Sequence, residues 1–188
     1  MMINQKKNSQ TLSITDITLM SLFAALTAVG TSIRVPLPAL VGNPFFHFGL
    51  PILCLAVLHL GFFKGSLAGG MGFAIFDVLN GFAPEAPYFI LESFIVGAAL
   101  TFSYQIVKKR HQSLIFIPIM MIFPVIVKIT MTFLKNLVIQ LMMGNAFSVS
   151  TAASFSTLYI TFINGIAAIV LVSFLYPTTQ KFIKIKTK

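Results

Sequence analysis

Residues 48–81 read FGLPILCLAVLHLGFFKGSLAGGMGFAIFDVLNG. Two short apolar runs, roughly 48–63 and 66–81, are separated only by Lys64-Gly65, and Gly61 and Gly65 interrupt any single helix through them. A connection this tight folds the two runs back on each other as an antiparallel hairpin. A bilayer core takes about 20 apolar residues per helix, fewer where the helix is short or the membrane thin. Both runs are candidate membrane spans, and the rest of the chain repeats the pattern.

Working outward, four longer apolar runs stand at roughly 14–33, 87–107, 114–142 and 152–176. The fifth span in chain order carries Pro118 and Pro124, which predict a kink. Of the 188 residues, 57% are hydrophobic and 9% are charged, and mean hydropathy is +0.94. Soluble domains carry about 25% charged residues, and a chain this short has no means of burying so much apolar surface in water. The fold class that follows is an all-α membrane protein with six transmembrane helices, one domain over 1–188, with polar tails at 1–13 and 178–188.

The net charge of +9 is explained by its distribution. Lys6 and Lys7 precede span one, Lys64 lies between spans two and three, Lys108, Lys109 and Arg110 between four and five, and Lys181, Lys184, Lys186 and Lys188 follow span six. The alternate loops hold only Arg34 and Glu85. This alternation puts both termini in the cytoplasm and makes nucleic acid an unnecessary partner. The N-terminus has no signal-peptide pattern. Cys54, the single cysteine, lies in an apolar run and forms no intrachain disulfide or metal motif. Met120, Met121, Met142 and Met143 read as packing, and His59 and His111 as incidental.

Ionisable groups inside a membrane are costly and mark function or pairing. Four fall within the spans: Asp77, Glu92, Lys128 and Lys135. Lys128, Thr132, Lys135 and Asn136 are spaced i, i+4, i+7, i+8 and share one helical face. Asn164 lies near mid-depth in span six with Tyr159 about one to two turns further out, and Tyr88 and Glu92 lie in the outer part of span four. If spans four to six are neighbours, these groups converge on one outward-facing cavity. The competing reading is structural: a Glu92–lysine pair that fixes packing, Asn164 bonding across a helix interface, and Asp77 meeting a loop.

In span one, Ser21 with Ala25 and Ala24 with Ala28 set small residues four apart, a face that allows close helix approach. The chain has no P-loop, HExxH or GxSxG motif, and four acids in total do not build a metal–pyrophosphate site. No catalytic residue, metal site or cofactor is expected, and a membrane enzyme is disfavoured.

The loop at 35–49, VPLPALVGNPFFHFG, holds three prolines and no formal charge. Pro36, Pro38 and Pro44 favour an extended path, and Gly42-Asn43-Pro44 reads as a turn. Phe45, Phe46 and Phe48 would prefer a pocket mouth to water, and His47 supplies a polar contact. The favoured reading is a lid over the outer cavity; the competing one is a loop resting on lipid headgroups.

The six spans, the Ala24-xxx-Ala28 face, the Pro-rich first loop and the 48–81 hairpin together resemble the S-components of energy-coupling factor (ECF) transporters, bacterial vitamin importers. The resemblance covers nearly the whole chain. It implies a substrate-capture subunit in a bacterial cell membrane, partnered by a membrane T-component and two ATP-binding-cassette ATPases. The site would be formed by the first loop and the outer halves of spans four to six, with Phe46, His47, Asp77, Tyr88, Glu92, Lys128, Lys135, Asn136, Tyr159 and Asn164 as candidates. Ser21, Ala24, Ala25 and Ala28 would meet the T-component. The polar residues suit a pyridoxine-like or hydroxymethylpyrimidine-like precursor best, with pantothenate or riboflavin also compatible. The alternative is a self-sufficient membrane facilitator or an assembly subunit.

Overall fold

The structure, a computed structural model, describes residues 12–38, 44–110 and 116–186. Lys6, Lys7 and Lys188, the Gly42-Asn43 turn and His111 lie outside the described residues, as do the side chains of 108–110 and 181–186.

The chain opens with helix α1 (Ile14–Ser32), started by a capping box in which the Ser13 hydroxyl accepts from the Asp16 N–H and the Asp16 carboxylate accepts from the Ser13 N–H. Strands β1 (Arg34–Pro36) and β2 (Phe45–His47) follow, then α2 (Gly49–Leu60), α3 (Phe62–Leu79), a 3-10 turn at Ala83–Glu85, α4 (Ala86–Arg110), α5 (Ile117–Met142), α6 (Phe147–Ser156) and α7 (Leu158–Lys186). The stretches 14–32, 62–79, 83–107, 117–142 and 147–180 are long and apolar enough to cross a membrane. At 12 residues, α2 is about 18 Å long, short of the roughly 30 Å hydrocarbon core.

The reason α2 is short and continuously apolar is its position. It packs against α1, α3, α4 and α7, and Leu50, Leu53, Cys54, Ala56 and Val57 are all buried. Val96 and Leu100 of α4, Met120 and Met121 of α5, and Val172 of α7 complete this core. The outside of the bundle is apolar as well: Leu22, Phe102, Phe123, Phe162 and Phe174 are among many exposed large hydrophobics. Such a surface is untenable in water and suited to lipid, so the chain is an all-α, multi-pass membrane protein.

Three local expectations need correction. The break between α2 and α3 is Gly61 alone, at φ +83°, where an L side chain would be strained. Lys64 and Gly65 already belong to α3. Gly65 serves packing instead: a Cβ there would lie 2.4 Å from the Val57 Cα. Pro118 sits in the first turn of α5, where its missing N–H costs nothing, so Pro124 alone of the two is interior. The sixth apolar run is two helices, interrupted at Thr157, and the second continues to Lys186.

The Pro-rich loop is extended, and it is also paired. Arg34, Val35 and Pro36 face His47, Phe46 and Phe45 in an antiparallel ribbon. Arg34 stacks on the rings of Phe45 and Phe76, at 5.3 and 5.4 Å from their centroids, which ties the ribbon to α3.

Candidate functional site

Beneath the ribbon lies a cavity of about 380 Å³. The ribbon, the end of α3, the 3-10 turn, α4, α5 and the α6–α7 junction all contribute to its wall. The tightly packed core fills the other half of the bundle, so the cavity has a solid floor.

One wall is ionic. Glu92 of α4 is held at both oxygens: the Lys128 ammonium lies 2.5 Å from Oε2, and the Tyr88 hydroxyl 2.8 Å from Oε1. The same hydroxyl is 2.9 Å from the Met131 carbonyl. Seven residues earlier, Glu85 meets Lys135 at 2.6 Å. The two pairs form a two-rung ladder between antiparallel helices, one rung two turns above the other. The Phe89 ring lies between the rungs, with Lys128 5.3 Å and Lys135 4.9 Å from its centroid.

The opposite wall is aromatic and amide. Phe45, Phe73, Phe76 and Phe82 line it, and Phe73 meets the His47 ring edge-on. Asn136 donates to the Thr157 hydroxyl at 2.7 Å, securing the point where the α6–α7 helix breaks. Asn164 grips the ribbon backbone: its Oδ1 accepts from the His47 N–H at 3.0 Å and its Nδ2 donates to the Phe45 carbonyl at 3.1 Å. The His47 Nδ1 accepts from the Gly49 N–H at 3.0 Å, so that nitrogen carries no proton. Burial, with the Lys128 charge, pushes the His47 pKa down to about 3.

The cavity thus gathers His47, Asp77, Tyr88, Glu92, Lys128, Lys135, Asn136 and Asn164 from the expected set. Two expected residues are elsewhere. Phe46 packs edge-on against Phe48, one pleat away from the wall. Tyr159 bonds the Pro38 carbonyl from outside, pinning the ribbon's approach. Glu85, Gln140 and Thr161 line the wall without having been singled out. For Glu85 a signal existed: Glu85 and Glu92 are seven apart, as are Lys128 and Lys135.

On α1, Ser21 and Ala25 are exposed, while Ala24 and Ala28 are half-buried. The Ala24 carbonyl and Thr27 lie so close to α3 that a Cβ on Gly72 would come within 2.5 Å of them. The small-residue face therefore divides between an internal contact and an open edge.

Residues 11–181 match the family model described as the ECF-type riboflavin transporter, S component. No curated protein and no solved structure matches the chain.

Proposed function

The chain belongs to the family of ECF-type riboflavin transporter S components, a family of vitamin-uptake subunits, and from that premise we propose that it captures riboflavin in the cavity beneath the ribbon. The observation that carries this reading is the cavity's two-sided chemistry. A planar ring system finds Phe45, Phe73, Phe76 and Phe89 as stacking surfaces. A polyhydroxylated chain finds Asn136, Gln140, Thr161 and Asn164 as hydrogen-bond partners. A volume of about 380 Å³ also exceeds what a single six-membered ring occupies, which moves the preference from pyridoxine-like and pyrimidine precursors to a fused ring.

In this reading the six spans cross a bacterial cell membrane with both termini on the cytoplasmic side and the ribbon on the outer side. The ribbon is a lid, held on α7 by Asn164 and Tyr159. Without a nucleotide motif of its own, the chain relies on a membrane T-component and two ATPases for power. The open edge of α1 at Ser21 and Ala25 is the surface offered to the T-component.

The test is mass spectrometry of small molecules retained by the detergent-purified protein, with riboflavin titration followed by quenching of flavin fluorescence. Retained riboflavin and saturable quenching are expected. A retained pyridine or pyrimidine vitamin with no flavin binding would replace this substrate while leaving capture intact. Failure to copurify with a T-component and ATPases, and vitamin uptake unchanged on deletion, would favour a self-sufficient facilitator.

A further inference from the structure

The chain has four acids, and three of them line the cavity. Every acid but one has a lysine. Asp16 pairs with Lys64 at 2.8 Å at the far end of the bundle, Glu85 with Lys135, and Glu92 with Lys128. Asp77 has no ion-pair partner among the described residues, although it is only 4% exposed and its Oδ2 is buried without a hydrogen bond. A lone buried carboxylate is expensive, more so at membrane depth, and such a group persists where something absent from the bare protein completes it. Its position rules out a merely local role as a cap. Asn80 and Phe82 take the Asp77 backbone carbonyl as their acceptor, so the loop after α3 is secured without the side chain.

We propose that Asp77 is the specificity residue of the cavity: its carboxylate accepts a hydrogen bond from an N–H on the ring of the bound vitamin and turns away vitamins that bear a carboxylate. This rests on the capture reading above and sharpens its substrate class. The two lysines are already neutralised by their own glutamates, so a carboxylate ligand would find no unpaired lysine among the described residues that line the cavity. Pantothenate, compatible on composition alone, is thereby excluded. Riboflavin carries one ring N–H, at N3 of the imide, and the flanking carbonyls are acceptors for the spare N–H groups of Lys128 and Lys135.

The experiment compares riboflavin with 3-methylriboflavin, which lacks that N–H, on the full chain purified in detergent, in wild type, Asp77→Asn and Asp77→Ala. Wild type should lose about 10- to 100-fold in affinity on methylation, the worth of a hydrogen bond to a charged group. Asp77→Ala should lose a similar factor for riboflavin and show no further loss on methylation, and Asp77→Asn, which keeps an acceptor, should fall between. Pantothenate should not compete. Equal wild-type affinity for the two flavins overturns the proposal, as does unchanged riboflavin affinity in Asp77→Ala with an unaltered melting temperature; capture of riboflavin would then still stand. If wild type ignores riboflavin but binds pyridoxine or 4-amino-5-hydroxymethyl-2-methylpyrimidine, and Asp77→Ala loses that ligand, the flavin reading falls and the role of Asp77 holds. Should Asp77→Ala not fold, the methylated flavin on wild type decides alone.

Discussion

The Asn164 side-chain carbonyl of α7 accepts from the His47 backbone N–H of β2 at 3.0 Å, and the same amide donates to the Phe45 carbonyl. One side chain thus satisfies a donor and an acceptor on one strand, as a neighbouring strand would. With three residues on each side, the ribbon would be marginal alone. Its position over the cavity depends on this clamp.

Replacing Asn164 with Ala should therefore weaken ligand capture more than it weakens the bundle. Two hydrogen bonds of about 1 kcal/mol each imply a loss of roughly 10- to 30-fold in riboflavin affinity. Asn164→Asp keeps the acceptor for His47 and loses the donor to Phe45, so it should be intermediate. Titration of each variant by flavin quenching, beside its melting temperature, checks this. A fall in melting temperature without a fall in affinity would contradict it.

The ladder between α4 and α5 predicts a different pattern. Glu92 and Lys128 are nearly buried, with side chains 4% and 13% exposed. Removing one partner leaves an unpaired charge in low dielectric, so Lys128→Met or Glu92→Gln should each destabilise by about 3–5 kcal/mol. The double replacement should recover most of the stability, because the remaining groups are apolar or neutral. The outer rung, with Glu85 38% exposed, should cost far less when broken. Thermal unfolding of the single and double variants in detergent separates the rungs. Ligand affinity should fall in Lys135→Ala as well, since its spare N–H groups face the cavity.

His47 makes a prediction about pH. Its folded pKa is about 3, below its ordinary value of 6.5, so between these the unfolded chain binds the extra proton. The contribution is whole above about pH 6.5 and is lost as pH falls. Melting temperature measured from pH 8 to pH 4.5 should decline over the acid half, and His47→Gln should decline less. An equal decline in both would show that other groups govern the acid limb.

Much of this fold is legible in the sequence because the bilayer imposes a simple rule. Long apolar runs must be helices, and the Lys128–Asn136 spacing names the helix face that carries polar groups. The shared cavity also follows, once those residues are set at similar depth. What escapes is decided by tertiary contact. Thr157 interrupts a run with no Gly or Pro to mark the break; its hydroxyl is fixed by Asn136 from another helix. The ribbon's pairing depends on Asn164, more than a hundred residues away. Glu85 reads as loop because it ends a 3-10 turn and Pro87 stands between it and Glu92, which hides the two-turn register the two acids share. Gly61 and Gly65 look alike in the chain, and only φ at one and close approach at the other tell them apart.

The α1 face yields the last prediction, because its two halves should fail differently. Gly72 lets α3 approach the Ala24 carbonyl and Thr27, and Gly72→Ala must push backbone aside. That should cost about 1–3 kcal/mol of stability and lower the melting temperature. Ser21 and Ala25 touch no such neighbour and are exposed. Ser21→Trp and Ala25→Trp should leave melting temperature and riboflavin affinity near wild type. If this edge meets the T-component, both should reduce copurification with it and with the ATPases, and abolish uptake in cells. A bulky residue at a close helix contact forbids approach, whereas at a lipid-facing position it only displaces acyl chains. Full assembly and uptake with tryptophan at both positions would therefore move the contact elsewhere on the bundle, leaving the approach of Ala24 to Gly72 of α3 as the structural role of the α1 stripe.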